Sequence, residues 1–228
     1  MSSKKTSEHV SKHASKHSYT EAEKKSIYKV MSERRDVRHF NQKPIDHDTF
    51  MTILSAAHLA PSVGLMQPWR FIHIKAPSLR ENIYSIVEAE RQLTAKALGE
   101  KKEDFLRLKV EGILQCAEVL VAALPDKRDK HIFGRRTLPE MDLASLSCAI
   151  QNMWLAARAE GIGMGWVSLF EPETLKTLLN MPADSHPIAI LCIGQVDEFY
   201  KKPMLVEEKW AEEQPLEDMI FINSWQKT

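Results

Sequence analysis

The sequence predicts a fold that mixes α-helices with β-strands, and three observations point there. Two nearly unbroken apolar runs, Glu118–Leu124 and Pro187–Gly194, read as buried strands. Phe50, Ile53, Leu54 and Ala57 recur at helical spacing, as do Leu143, Leu146, Ile150, Met153, Trp154 and Ala157. Prolines and glycines at 61–68 and 161–165 punctuate these segments. With 228 residues, 43% of them apolar, the chain can bury a sizeable core.

Residues 1 to about 25 are rich in Ser, Lys and His and read as a disordered tail. His9, His13 and His17 fall four apart, so a metal site on one helical face is conceivable there, although the segment has few apolar anchors. Folded sequence is expected from near Lys24, with Ile27, Val30 and Met31 on one helical face. Asp46 is a good N-cap for the helix that carries Phe50 to Ala57, and Pro61 ends it. The stretch Pro61–Trp69 is a loop that leads into a strand at Arg70–Lys75. Ser78 and Glu81 form a potential capping box for a helix running to about Leu98, and a second charged helix is expected from about Glu103 to Gln115. These two polar helices, about 79–115, are expected to form a lid. The longest helix spans about Pro139 to Glu160, with Gly161 as its stop.

The segment Gly161–Phe170 echoes a dinucleotide loop. Its glycines, however, follow a helix and precede a strand, the reverse of the strand-loop-helix context such a loop needs. They are better suited to letting a strand backbone lie close to a flat ligand or a packed helix. A short helix from Pro172 to about Asn180 precedes the strand at Pro187–Gly194. The end of the chain, about 197–228, carries Trp210, Phe221 and Trp225 in a polar background, which suggests an arm packed on another surface.

Formal net charge is zero, so a general nucleic-acid-binding role has no support. Cys116, Cys148 and Cys192 are odd in number and set in apolar contexts, and they read as buried free thiols in a reducing compartment. No apolar run approaches the roughly 18 residues a membrane span needs, and no hydrophobic signal region opens the chain, so a cytoplasmic location is expected.

The densest functional signal is Arg34-Arg35-Asp36-Val37-Arg38, three guanidiniums around one carboxylate. Arg offers a planar fork of donors that fits phosphate oxygens or a polar ring edge, although a solvated charge run at a helix end would read the same way. Ser62 and Gln67 add neutral donors and acceptors from a proline-stiffened loop, where a serine hydroxyl serves equally to stabilise a turn. Asp36 is out of place in an anion-binding cluster. It either orients the arginines or acts as a base. Trp69 and Trp166 suit ring stacking or the core, and Lys201 or Lys202 suits a phosphate contact or a solvated pair.

Three separated pieces, Arg34–Arg38, Ala60–Trp69 and Gly165–Ser168, together resemble the nitroreductase-like flavoprotein superfamily in order and spacing. Two further stretches, Gly134-Arg135-Arg136-Thr137-x-Pro139-Glu140-Met141-Asp142 and Gln151–Gly163, narrow the resemblance to a branch that consumes reduced FMN. It covers about residues 26–225. It implies an α+β fold with a mixed central sheet flanked by helices, in a domain-swapped homodimer that binds FMN at the subunit interface. The implied reaction is oxygen-dependent fragmentation of reduced FMN into a benzimidazole and a sugar phosphate, with O2 as co-substrate. Arg34, Arg35, Asp36, Val37, Arg38, Ser62, Gln67, Ser168 and Leu169 are the implied flavin-contacting residues, with Asp36 and Ser168 catalytic and the lid shielding the oxygen chemistry from water. No nicotinamide site is evident, so a separate flavin reductase is the expected electron source. An ordinary NAD(P)H-dependent nitroreductase or quinone reductase on the same fold is the alternative.

Overall fold

The computed structural model describes residues 16–225. Its elements are α1 (Glu21–Glu33), α2 (His47–His58), β1 (Arg70–Ile74), α3 (Pro77–Ala97), α4 (Lys102–Arg107) and β2 (Glu118–Leu124). They continue with α5 (Met141–Ala159), β3 (Gly163–Val167), α6 (Pro172–Leu178), β4 (His186–Gly194) and α7 (Met204–Glu207). The four strands form one sheet in the order β1-β2-β4-β3. Every pairing among them is antiparallel, and the parallel component is a single bridge between Asp36 and Met164 at the outer edge of β3.

The sheet is the middle of three layers, and strand alternation decides which side chain enters which core. Leu120, Ala122 and Leu124 of β2 and Ala189, Leu191 and Ile193 of β4 face α2 and α5. Their neighbours Val119, Val121, Ile190 and Cys192 face the opposite way, against Ile83 and Val87 of α3 and Leu175 of α6. Both central strands are therefore apolar on both faces, which is why they read as continuous apolar runs. Pro187, which has no N–H to donate, lies where the β2–β4 register shifts beside Ala123. Ile150 of α5 is fully buried in the first core. Ile150→Ala should lower unfolding free energy by about 2–5 kcal/mol, measured by urea denaturation.

Several boundaries differ from the sequence expectation. Helix α1 starts at Glu21, inside the segment read as a tail, because Thr20 and Glu23 close a capping box: the Glu23 N–H reaches the Thr20 hydroxyl at 3.3 Å and the Thr20 N–H reaches the Glu23 carboxylate at 2.8 Å. The expected apolar face of α1 is only partly covered: Val30 is half-buried, whereas Ile27 and Met31 are exposed. Of the histidine triplet, His9 and His13 lie outside the described residues. Helix α3 starts with Pro77 in its first turn, where the fixed φ of proline suits helix entry, so Ser78 is already inside the helix and caps nothing. The helix expected over 103–115 stops at Arg107. Farther on, Gly112 lies flat against the Phe40 ring, and a Cβ there would stand 2.4 Å from Phe40. Gly161 behaves as expected, with φ +73°, and closes α5 in a Schellman turn in which the Ile162 N–H reaches the Ala157 carbonyl at 2.8 Å. Cys116 and Cys192 are buried free thiols, whereas Cys148 is exposed on α5. No helix among the described residues is long and apolar enough to cross a membrane.

Candidate active site

The site is built on the free edge of β3. Chain leaving α1 runs alongside that edge: the Val37 N–H donates to the Met164 carbonyl at 3.0 Å, and the Trp166 N–H donates to Oδ1 of Asp36 at 2.9 Å. Arg38 Nη2 donates to the Trp166 carbonyl at 2.7 Å and to Oδ2 of Asp36 at 2.5 Å. The approach is close enough to require glycine in the strand. A Cβ on Gly165 would lie 2.2 Å from the Val37 carbonyl oxygen and 3.1 Å from Arg38 Nη1. The group that lies against Gly165 is thus the Val37–Arg38 segment, and against Gly163 the side chains of Val196 and Val37, not a helix.

The three arginines have different surroundings. Arg34 lies over the Trp154 ring, 4.7 Å from its centroid. Burial lowers its pKa, and Asp36 partly offsets this. Arg35 bonds the carbonyls of Ser32, Arg34 and Lys201 at 2.7–2.8 Å, and its Nε is buried without a partner. Arg38 is 8% exposed, and its Nε and Nη1 are likewise buried without partners. Buried guanidinium donors are seldom left unpaired, and no acceptor among the described residues reaches these.

Asp36 remains partly open to solvent while accepting two hydrogen bonds. Burial raises its pKa above the ordinary carboxylate value. Arg38, the Trp166 amide and Arg34 pull the other way and do not fully offset it. The result is a carboxylate more basic than usual beside cationic groups. Asp36, Arg34 and Arg35 line a pocket of about 410 Å³ whose far wall is the C-terminal arm, through Pro203, Met204, Leu205 and Glu213.

The second cluster sits at the other end of α5. In the loop 61–69, Ser62 Oγ accepts the Gln67 N–H at 3.0 Å, the turn-stabilising role its local sequence allows, and keeps its own O–H to donate. Gly64, Leu65 and Gln67 have φ of +52°, +51° and +47°. Two non-glycine residues in this region of backbone space within three positions indicate a loop held in shape by its surroundings. Neither Ser62 nor Gln67 lines the pocket that contains Asp36. Trp69 is buried in the core, while Trp166 is half-buried with its ring 6.3 Å from that of Trp154.

Ser168 is exposed just past the end of β3, two residues beyond the Trp166 amide that holds Asp36. Leu169 packs between the second core and a small cluster of Ala95, Phe105 and Leu108 under the α3–α4 segment. Trp210 of the arm joins that cluster, its ring 6.2 Å from Phe105. Lys201 contributes its carbonyl to Arg35, not its ammonium. Two contacts had no signal in the motifs. Trp154, read as part of an apolar helix face, donates its indole N–H to the Arg35 and Met164 carbonyls at 3.1 and 2.8 Å. Tyr200 bonds His39 Nδ1 at 2.6 Å through its hydroxyl, which also accepts the Arg38 N–H at 3.4 Å.

The chain matches the model of the nitroreductase family over residues 31–195. A 5,6-dimethylbenzimidazole synthase from Rhodospirillum rubrum is 38% identical over 184 residues, covering 80% of this chain and 87% of that protein. Another, from Rhodobacter capsulatus, is 35% identical over 202 residues, covering 88% and 98%. Among solved structures, oxidized iodotyrosine deiodinase bound to FMN and 3-iodo-L-tyrosine shares the fold at a TM-score of 0.67 and 19% identity, covering 89% of this chain and 100% of that one. A BluB-like flavoprotein from Clostridium difficile 630 does so at 0.66 and 17%, covering 87% and 99%.

Proposed function

The chain belongs to the nitroreductase family, and from that premise we propose that it is a 5,6-dimethylbenzimidazole synthase, converting reduced FMN and O2 to 5,6-dimethylbenzimidazole, the lower ligand of cobalamin, erythrose 4-phosphate and an oxygenated pyrimidine fragment that carries the remaining ring atoms. The observation that carries this reading is Asp36, a carboxylate of raised basicity held between the Trp166 amide and Arg38 and open to a pocket that also holds Arg34 and Arg35. A reductase that only passes hydride through its flavin has no use for a base at that place.

The residues present suit FMN. Buried donors of Arg35 and Arg38 lack acceptors, which a phosphate or a carbonyl-bearing ring edge would provide. Bound reduced FMN supplies both the electrons that react with O2 and the carbon skeleton of the product, including one ribityl carbon. The protein's part is to hold, orient and deprotonate. Arg34, Arg35 and Arg38 anchor anionic and polar edges, Val37 contributes backbone beside them, and Ser62 and Gln67 take the polar edge of the ring. Asp36 accepts a proton from the ribityl chain, and Ser168 orients the reacting oxygen with its hydroxyl. Leu169 and the lid keep water out. The Asp36 pocket and the loop 61–69 lie at opposite ends of α5, which favours a homodimer in which each site draws on both chains. The exposed Leu65, Phe133 and Leu138 beside the loop suit such an interface. A separate flavin reductase would supply the reduced flavin.

Purified protein mixed with reduced FMN in air, with no other substrate, should release dimethylbenzimidazole, detected by chromatography. Flavin that survives repeated cycles of reduction and reoxidation would overturn the reading. Steady NAD(P)H oxidation with a nitroaromatic acceptor and intact flavin would establish the reductase alternative.

A further inference from the structure

We propose that the ion triad Arg128–Asp142–Arg135, in which Asp142 and Arg135 are buried and Arg128 half-buried, is a positioning element for the loop Ser62–Gln67, and that Asp142 is its central residue; this rests on the reading above in taking that loop as a contact of the flavin ring. Asp142 begins the first turn of α5 and is 2% exposed. Its Oδ2 accepts from Arg128 Nη1 at 2.8 Å and lies 2.9 Å from Arg135 Nη2, while Oδ1 accepts the Leu143 N–H at 2.6 Å. Arg135, 7% exposed, also bonds the Pro139 carbonyl at 3.2 Å and the Arg128 carbonyl. One carboxylate thus ties the start and the middle of the segment 128–142 to the first turn of α5. Removing one member of such a buried ion group leaves its partners uncompensated, which disturbs the backbone they hold.

That geometry is delivered to the loop through the residues just before Arg135. Phe133, whose ring is otherwise exposed, touches Gly64 so closely that a Cβ there would meet its ring and carbonyl at 3.0 and 3.1 Å. Gly134, at φ +77°, lies against Val63, where a Cβ would stand 2.3 Å from Val63 Cγ2. From the other side, Ser145 Oγ, one turn along α5 from Asp142, accepts the Val63 N–H at 3.0 Å. The left-handed backbone at Leu65 and Gln67 needs such support on both sides. Asp142 touches no residue assigned to flavin, so it acts through Arg135, Gly134 and Phe133.

Hydrogen exchange on the flavin-free protein tests this directly. Asp142→Asn should speed exchange of the Val63, Leu65, Met66 and Gln67 amides while those of β2 and β4 stay protected. The folded variant should bind FMN and riboflavin about tenfold more weakly, the scale of one lost hydrogen bond. Both ligands should lose the same factor, because their ratio reports phosphate contacts that the variant leaves alone. A folded variant with unchanged loop exchange overturns the proposal. If Asp142→Asn does not fold, Gly134→Ala decides in its place: faster exchange in the loop supports the proposal and unchanged exchange overturns it. The exchange readout needs no turnover, so it stands even if the wild-type protein fails to fragment FMN, a failure that would count against the function alone.

Discussion

Asp36→Asn is expected to keep FMN binding and to lower dimethylbenzimidazole formation by about 10²–10⁴-fold, the usual worth of a positioned acid or base. The amide retains an oxygen to accept the Trp166 N–H at the position of Oδ1, so the β3 edge can persist. What it loses is a proton acceptor and the ion pair with Arg38, because the new NH2 faces Arg38 Nη2 at the position of Oδ2. The direction of the pKa shift adds a second test. Burial raises the Asp36 pKa, so the folded wild type should take up a proton at this carboxyl at a higher pH than an ordinary aspartate would. Protonation disables a base, so the wild-type rate should fall as pH drops through this raised value, and that limb should vanish in the variant. Loss of FMN binding in Asp36→Asn would instead make the carboxylate an orienting partner for Arg38 and remove it from the chemistry.

Gly165→Ala should damage the same site by another route. The new methyl would meet the Val37 carbonyl at 2.2 Å, a backbone atom that cannot rotate away. Overpacking of a buried position costs about 1–3 kcal/mol, and here relief requires the Asp36–Arg38 segment to leave the strand. The expected result is a lower melting temperature together with loss of FMN affinity, read by calorimetry and by flavin fluorescence. A variant that binds FMN normally would show that the segment can shift without harm to the site.

How much of this was legible in the sequence depended on how local each cause was. The central strands were readable because both faces of β2 and β4 are buried, and the α5 stop was readable because Gly161 sits one residue past the helix C-cap. The capping box at Thr20 was equally local but lay inside a stretch judged by composition. The end of α4 at Arg107 has no local stop signal, and the contact of Gly112 with Phe40 farther on joins residues distant in the chain. In the site, residue types were informative and their partners were not. The arginines and Asp36 stood out by charge density alone. The pairing of Asp36 with the Trp166 amide, the indole of Trp154 beneath Arg34 and the hydroxyl of Tyr200 on His39 all come from tertiary contact. The split of the implied flavin contacts between two ends of α5 likewise has no signature in their spacing.

The attachment of Arg34–Arg38 to β3 has a consequence for solubility. β3 is an outer strand, and its outward Met164 carbonyl, Trp166 N–H and Trp166 carbonyl would otherwise be open to pairing with another chain. Unpaired strand edges are templates for aggregation, and proteins cover or charge them. Here the cover is the charged segment itself, with the carboxylate and guanidinium of Asp36 and Arg38 occupying two of those backbone positions. Substitutions that unseat the segment should therefore make the protein precipitate as well as lose ligand, whereas those that alter only Ser62 or Gln67 should leave it soluble.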